Sequence, residues 1–162
     1  MTFIIPSIIR LQANGKAASE FSTSTPNNGQ LTLSDHSRSP LSVSYEIIEN
    51  SQRMADGTMR KSIISKKKNF SCTWDMMPTV STMMADGNAD AAKMKAYYEL
   101  YCYSPLTLTL RYKRNNAEAP VDETCQVYWT DFGFDVIKRY RNFDYWNVSA
   151  EFTEIWCLET AL

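Results

Sequence analysis

Hydrophobic and polar residues alternate with a period of two along most of the chain from Leu41 onward, the pattern of half-buried strands. Leu41, Val43, Tyr45 and Ile47 alternate with Ser42, Ser44, Glu46 and Ile48. Asp56-Gly57 then supplies the positive φ angles of a tight hairpin turn. A return strand runs through Ile63-Ile64 to Phe70, Cys72 and Trp74, and Met76-Met77-Pro78 is expected to end it. Each arm is roughly a dozen residues, against about 5–6 for an ordinary strand, so the polar tip is expected to project past its sheet. The period changes once. Asn88 as N-cap and Asp90 in the first turn predict a helix over about 88–103, stopped by Ser104-Pro105. Ala92, Ala96, Leu100 and Tyr103 are expected to pack on a sheet, with Met94, Tyr97, Tyr98 and Tyr101 on a neighbouring face for core or subunit contact.

The pattern then returns to strands. Leu106, Leu108, Leu110 and Tyr112 alternate with Thr107, Thr109 and Arg111, and Cys125, Val127 and Trp129 follow a polar turn. Asp131-Phe-Gly133-Phe134 predicts a bend or bulge, after which Phe134, Val136 and Ile137 begin another strand. A turn over Arg141–Tyr145 leads to Trp146, Val148, Ala150 and Phe152, which alternate cleanly with polar residues. Five or more strands, hairpin connections and one helix predict a mainly β (α+β) fold. We expect an antiparallel β-sandwich or barrel over residues 41–162, with the helix across one end.

Residues 1–40 differ from the rest. Ser, Thr, Asn and Asp dominate from Ala17 to Pro40, and Pro26-Asn-Asn-Gly29 is a turn signal. So long a polar stretch is uncommon inside a compact domain, which predicts an N-terminal arm or extended segment. Its apolar start, Phe3, Ile4, Ile5, Ile8 and Ile9, is expected either to dock on a neighbour by strand addition or to form a first strand of the domain's own sheet.

Composition and charge exclude more than they propose. The 162 residues are 44% hydrophobic, enough to build a core, and 17 Lys+Arg against 18 Asp+Glu leave a formal charge of −1. A dedicated nucleic-acid binder is usually strongly basic. No apolar run has the length of a membrane span, and the amino-terminal stretch lacks the basic flank of a signal peptide. Cys72, Cys102, Cys125 and Cys157 are too dispersed for paired zinc ligands. Buried free thiols are expected, with a long-range disulfide as the alternative. His36, the single histidine, lies in a polar loop-like segment beside Asp35, where adjacent residues on extended chain point opposite ways. No catalytic motif is present, and Asp131 and Asp135 are the only carboxylate pair worth naming. The reading is a protein that is not an enzyme and uses no cofactor or metal.

Three basic groups remain: Arg60-Lys61 with Lys66-Lys67-Lys68, Arg111 with Lys113-Arg114, and Lys138-Arg139 with Arg141. Tyr112, Tyr140 and Phe143 interleave them, so a small β-barrel module binding nucleic acid or another ligand is the alternative function. Each group sits near a predicted strand end or turn, where solvated Lys and Arg are ordinary and protect strand edges.

The stretch Arg53-Met-Ala-Asp-Gly-Thr-Met-Arg60, the basic strand, Trp74-Asp-Met-Met-Pro78 and Ala85-Asp-Gly-Asn-Ala-Asp90 opening a helix resembles small tail proteins of bacteriophages. Tyr128-Trp-Thr-Asp-Phe132, Lys138-Arg139 and Asp144-Tyr-Trp-Asn-Val-Ser149 extend the likeness over roughly residues 41–155. Such proteins are similar to the tail-tube-like family, which includes tube, distal-tail and tail-terminator proteins. The resemblance implies a structural virion protein that forms a hexameric ring, part of the tail tube or its end and baseplate, assembled in the host bacterial cytoplasm. The partners it implies are homo-oligomeric ring neighbours, stacked rings or adjacent tail and baseplate proteins, with non-specific proximity to DNA in a tube lumen and no membrane. Distal-tail proteins usually carry a further domain, for which 162 residues leave no room. The residues expected at subunit interfaces are Phe3, Ile4, Ile5, Ile8, Ile9, Arg53, Met54, Asp56, Met59, Arg60, Tyr97, Tyr98 and Tyr101.

Overall fold

The computed structural model of the chain describes residues 8–13, 29–83, 89–112, 119 and 121–157. Seven strands and one α-helix follow in the order β1 (Ile8–Ala13), β2 (Gln30–Leu33), β3 (Ser42–Arg53), β4 (Met59–Pro78), α1 (Ala91–Tyr101), β5 (Leu106–Tyr112), β6 (Val121–Arg139) and β7 (Asp144–Cys157). They form one sheet, ordered β2-β1-β5-β6-β7-β4-β3, in which every neighbouring pair is antiparallel. The fold is therefore mainly β with a single flanking helix, as the alternation predicts.

Chain geometry requires this sheet to curl. β2 and β4 are five strand positions apart, which would separate them by about 24 Å in a flat sheet at ~4.8 Å per strand. Yet only four residues lead from Leu33, the end of β2, to Ser37, whose carbonyl accepts a hydrogen bond from the Asp75 N–H of β4 at 3.2 Å. Four residues reach at most about 14 Å. The two flanks must therefore approach each other. Trp74 ties them together: its indole Nε1 donates to the Ser34 carbonyl at 2.8 Å.

Side chains on the concave face fill the resulting interior. Ile9, Leu11, Leu31, Leu33, Phe70, Trp74, Leu106, Leu108, Val127, Trp129, Val148 and Phe152 are all buried. Residues 8–13 and 30–33 thus belong to the body, which corrects the expected arm over 1–40. Of the two readings of the amino-terminal apolar run, its described part, Ile8 and Ile9, follows the first-strand reading, with Ile9 opposite Leu110 and Leu33. The polar sequence after Ala17 hid β2, which has only four residues.

Helix α1 packs on β2 and β6. Its N-cap is Asp90, whose carboxylate accepts from the Lys93 N–H at 2.8 Å, two residues beyond the expected Asn88. Ala91, Met94 and Tyr97 face the core, whereas Leu100 and Tyr103 are exposed. The expected packing face is therefore corrected to its neighbour. The alanine stripe offers too little apolar volume, whereas the longer Met94 and Tyr97 side chains are fully buried, Tyr97 against Trp129.

One further expectation holds and one changes. β4 ends at Pro78, as expected, after an irregularity at Met76, which has φ 54° and donates its N–H to Asn147 Oδ1. Gly133, by contrast, does not divide two strands. β6 is a single 19-residue strand with register shifts at Trp129/Asp131 and Val136/Lys138, so the chain bends without leaving the ladder. Cys72 is a buried free thiol and Cys102 a half-buried one, while the β6–β7 register sets Cys125 opposite Cys157.

Candidate subunit interfaces

β4 pairs with β7 only from Asn69 to Pro78, so its first ten residues, Met59–Lys68, have β3 as their sole strand partner. Together with β3 they form a two-stranded ribbon whose base is held to the body through Lys67 and Lys68 and whose outer six residues, Met59–Ile64, leave it by roughly 20 Å, at about 3.4 Å per residue. All twelve positions of β3 are exposed, as are Met59–Ile64. A turn closes the ribbon as its sequence predicts: Gly57 has φ 83°, and the Met54 N–H donates to the Thr58 carbonyl at 2.8 Å. The Asp56 carboxylate accepts from both the N–H and the hydroxyl of Thr58, which holds its pKa below the usual carboxylate range.

Five of the predicted interface residues meet at this tip. Arg53 pairs with Met59, Gln52 with Arg60, and Met54 and Asp56 lie in the turn. The register also defines two faces. Val43, Tyr45 and Ile47 continue outward from the core position of Phe70, and past the irregularity at Ile48/Glu49 the same face takes in Ile63 and Met59. These five side chains are 40–63% exposed, a hydrophobic strip that runs on from the core interleaved with Lys66, Lys68 and the Glu49–Lys61 ion pair. Exposed apolar patches of this kind mark interaction sites or aggregation liabilities.

The remaining predicted residues lie elsewhere. Tyr97 is in the core rather than at a surface: it is fully buried, its hydroxyl donates to the Gly29 carbonyl at 3.0 Å, and burial drives its pKa upward. Ile9 is likewise a core residue, and Ile8 stands in β1 opposite Arg111. Tyr98 and Tyr101 are half-buried and engaged within the chain, Tyr98 against Trp129 and Phe132, Tyr101 against Tyr97. Phe3, Ile4 and Ile5 lie outside the described residues.

Sequence reasoning missed two surfaces. The first is the far end of the β6–β7 hairpin, where Phe134, Val136, Ile137 and Tyr140 are 38–51% exposed because β5 covers β6 only as far as Val127. This end lies beyond Pro78↔Tyr145, opposite in direction to the ribbon. The second is the outer face of β4, β7 and β6. There the register aligns Ser71, Glu151 and Asp131 in one row and Thr73, Ser149 and Gly133 in the next, with Asp135 opposite Asn147 and Asp75 nearby. A hollow of about 340 Å³ centres on Gly133, Ser149 and Thr73 and is flanked by Asp75 and Asp135. A second, of about 290 Å³, includes Asn69, Ser71 and Glu151. Asp131 and Glu151 stand directly opposite each other, an arrangement of like charges that destabilises a sheet. No ion pair among the described residues engages Asp75, Asp131, Asp135 or Glu151.

The basic groups are largely occupied. Lys68 pairs with Glu123, Lys67 donates to the Ile155 carbonyl, and Lys66 sits 4.7 Å from the Tyr45 ring centre. Arg111 makes a two-point contact with Asp122 at 2.7 and 3.0 Å, raising the arginine pKa and lowering that of the aspartate. Arg139 lies 3.5 Å from Asp144. Asp35, the neighbour of His36, is bound by Arg38 at 2.8 Å. Asp131 and Asp135 lie four residues apart along β6, about 13 Å in a strand, too far to act on one atom. Among the described residues no cluster of three or more His, Cys, Asp or Glu could hold a metal ion, and no helix is long and apolar enough to cross a membrane.

No family model matches the chain, and no curated protein matches it. Among solved structures, the chain is similar to one in the cryo-EM structure of the anti-feeding prophage baseplate, 6-fold symmetrised. The identity is 11%, the alignment covers 94% of this chain and 91% of that one, and the TM-score is 0.44. A likeness of that size assigns neither fold nor role.

Proposed function

We propose that this chain is a structural subunit of a bacteriophage tail that binds copies of itself to build a ring of the tail tube or its end. One observation carries the reading: the β3–β4 ribbon leaves the body and exposes a hydrophobic strip that no other part of the described chain covers. An isolated two-stranded hairpin is marginally stable in water, so a ribbon of this length gains order from a surface it lies on. The second exposed apolar end, Phe134–Tyr140, lies beyond the other end of β4. Two unlike surfaces on one subunit favour head-to-tail contacts, which close into rings or extend into filaments. One of the phrases shared with phage tail proteins, Arg53–Arg60, falls on this ribbon and supports the same assignment. Six-fold symmetry, stacked rings and neighbouring baseplate proteins follow from that resemblance as part of the proposal.

A shortened ribbon tests it. Glu49 and Ile63 are register partners, so replacing residues 50–62 by Asn-Gly gives a hairpin with a sequence suited to a two-residue turn. The variant is expected to fold with unchanged circular dichroism and to sediment as a monomer under conditions where the full chain assembles. Assembly unaffected by the excision would refute the ribbon's role. Deleting residues 1–12 is unsuitable as a test, because it removes most of β1 and with it Ile9 and Leu11 from the core.

A further inference from the structure

We infer that the tip of the β3–β4 ribbon of one copy seats in the carboxylate-lined trough on the outer face of β4, β7 and β6 of the next copy. The inference rests on the self-assembly proposed above and names the contact. Between Ser42 and Lys68 the ribbon carries six cations, Arg53, Arg60, Lys61, Lys66, Lys67 and Lys68, against three carboxylates, Glu46, Glu49 and Asp56, for a net charge of +3. Arg53 and Arg60, at the tip, make no ion pair among the described residues. Two ribbons would repel each other, which disfavours a symmetric ribbon-to-ribbon contact.

The trough offers the opposite chemistry. Its charged groups, Asp75, Asp131, Asp135 and Glu151, are all carboxylates, with Asp131 and Glu151 directly opposed. The Asn69 Oδ1 in the adjoining hollow is buried without a hydrogen-bond partner, a further acceptor waiting for a donor. Gly133 keeps the floor open, since a Cβ there would come within 3.1 Å of the Ser149 Oγ. Acceptors on one surface and forked guanidinium donors on the other are a matched set. The pairing must be between copies. Nine residues of paired strand separate Arg60 from Asn69, roughly 30 Å at ~3.4 Å each, and the ribbon points away from the trough.

Charge reversal tests the contact. Arg53→Glu/Arg60→Glu alters only the tip, and Asp135→Lys/Glu151→Lys only the trough, all four positions being exposed. Each double variant alone is expected to lose at least tenfold in self-association by sedimentation velocity, with unchanged near-ultraviolet circular dichroism. Mixed one to one, they should assemble as alternating copies, because the intact tip fits the intact trough and the reversed tip fits the reversed trough. The quadruple variant, with both surfaces reversed, should recover assembly. Either double variant assembling like the full chain overturns the inference and leaves self-assembly standing. So does a trough reversal that is silent while the tip reversal abolishes binding of a labelled DNA duplex, which would mark the ribbon as a nucleic-acid contact. A wild-type chain that never associates removes the proposed function itself.

Discussion

Replacing Ile47 and Ile63 by serine separates the ribbon's contribution to folding from its contribution to assembly. The two side chains are diagonal neighbours on one ribbon face and are 48% and 63% exposed in the single chain. Full burial of an isoleucine stabilises by about 1.5–3 kcal/mol. The portions already buried therefore account for about 1–3 kcal/mol of the folded monomer, and ribbon opening need not unfold the body. The exposed portions, buried by a neighbour, would contribute about 2–3 kcal/mol, or roughly 30–150-fold in the association constant. Leu108→Ala is the reference, since Leu108 is 1% exposed in the core and its truncation should cost about 2–5 kcal/mol of folding stability. Urea denaturation of dilute monomer measures the first quantity and sedimentation velocity over a concentration series the second. The expected signature for Ile47→Ser/Ile63→Ser is a small shift in the denaturation midpoint with a large loss of association. A loss of stability matching Leu108→Ala, with association within threefold of wild type, would refute the reasoning.

Gly133→Ala should leave the fold intact, because the Ser149 Oγ can rotate away and alanine costs less than glycine in a strand interior by about 0.5–1 kcal/mol. Its effect should be confined to weaker self-association, measured on the same concentration series. Asp90→Ala removes the cap of α1 and should lower stability by about 1 kcal/mol in thermal denaturation. Burial pushes the Cys72 thiol up to about 12 from 9.0 and also raises the Tyr97 phenol. Both groups bind their protons more tightly when folded, so their stabilisation is complete below pH 9 and is lost as the pH rises from about 9 toward 12. Denaturation midpoints across that window should fall, and Cys72→Ala should flatten the slope by close to one proton. At pH 8 iodoacetamide should modify Cys102 and spare Cys72 until the chain unfolds.

Elements whose signals are local were legible in the sequence. Asp56-Gly57 between alternating arms identifies the ribbon and its turn, and the alternation around Trp146–Thr153 identifies β7. What the sequence hid is set by pairing between distant segments. Ile8–Ala13 joins the sheet because β5 lies beside it almost a hundred residues later, so its apolar run could not be told from an arm. Gly133 reads locally as the boundary between two strands, yet thirteen residue pairs with β7 carry β6 through the bend as one strand. The helix presents its aromatic face rather than its alanine face because the volume over Trp129 decides, and that volume is a tertiary property. The trough left no signature at all. Its carboxylates come from three strands, and a polar residue on a strand's outer face looks the same whether it meets water or a partner.

Of the candidate interface, the tip residues Arg53, Met54, Asp56, Met59 and Arg60 were found from the turn and the overlong arms, and the structure brings them together. Tyr97 and Ile9 were misread because aromatic and β-branched side chains serve cores and interfaces equally, and only burial separates the two.

The central claim is that the chain's exposed ribbon exists to bind identical copies. Electron microscopy of the purified full-length protein, negatively stained across a range of concentrations, tests it most directly. The account predicts closed rings or stacks of rings that disappear when residues 50–62 are replaced by a two-residue turn. Single subunits at every concentration, with the ribbon intact, would contradict it.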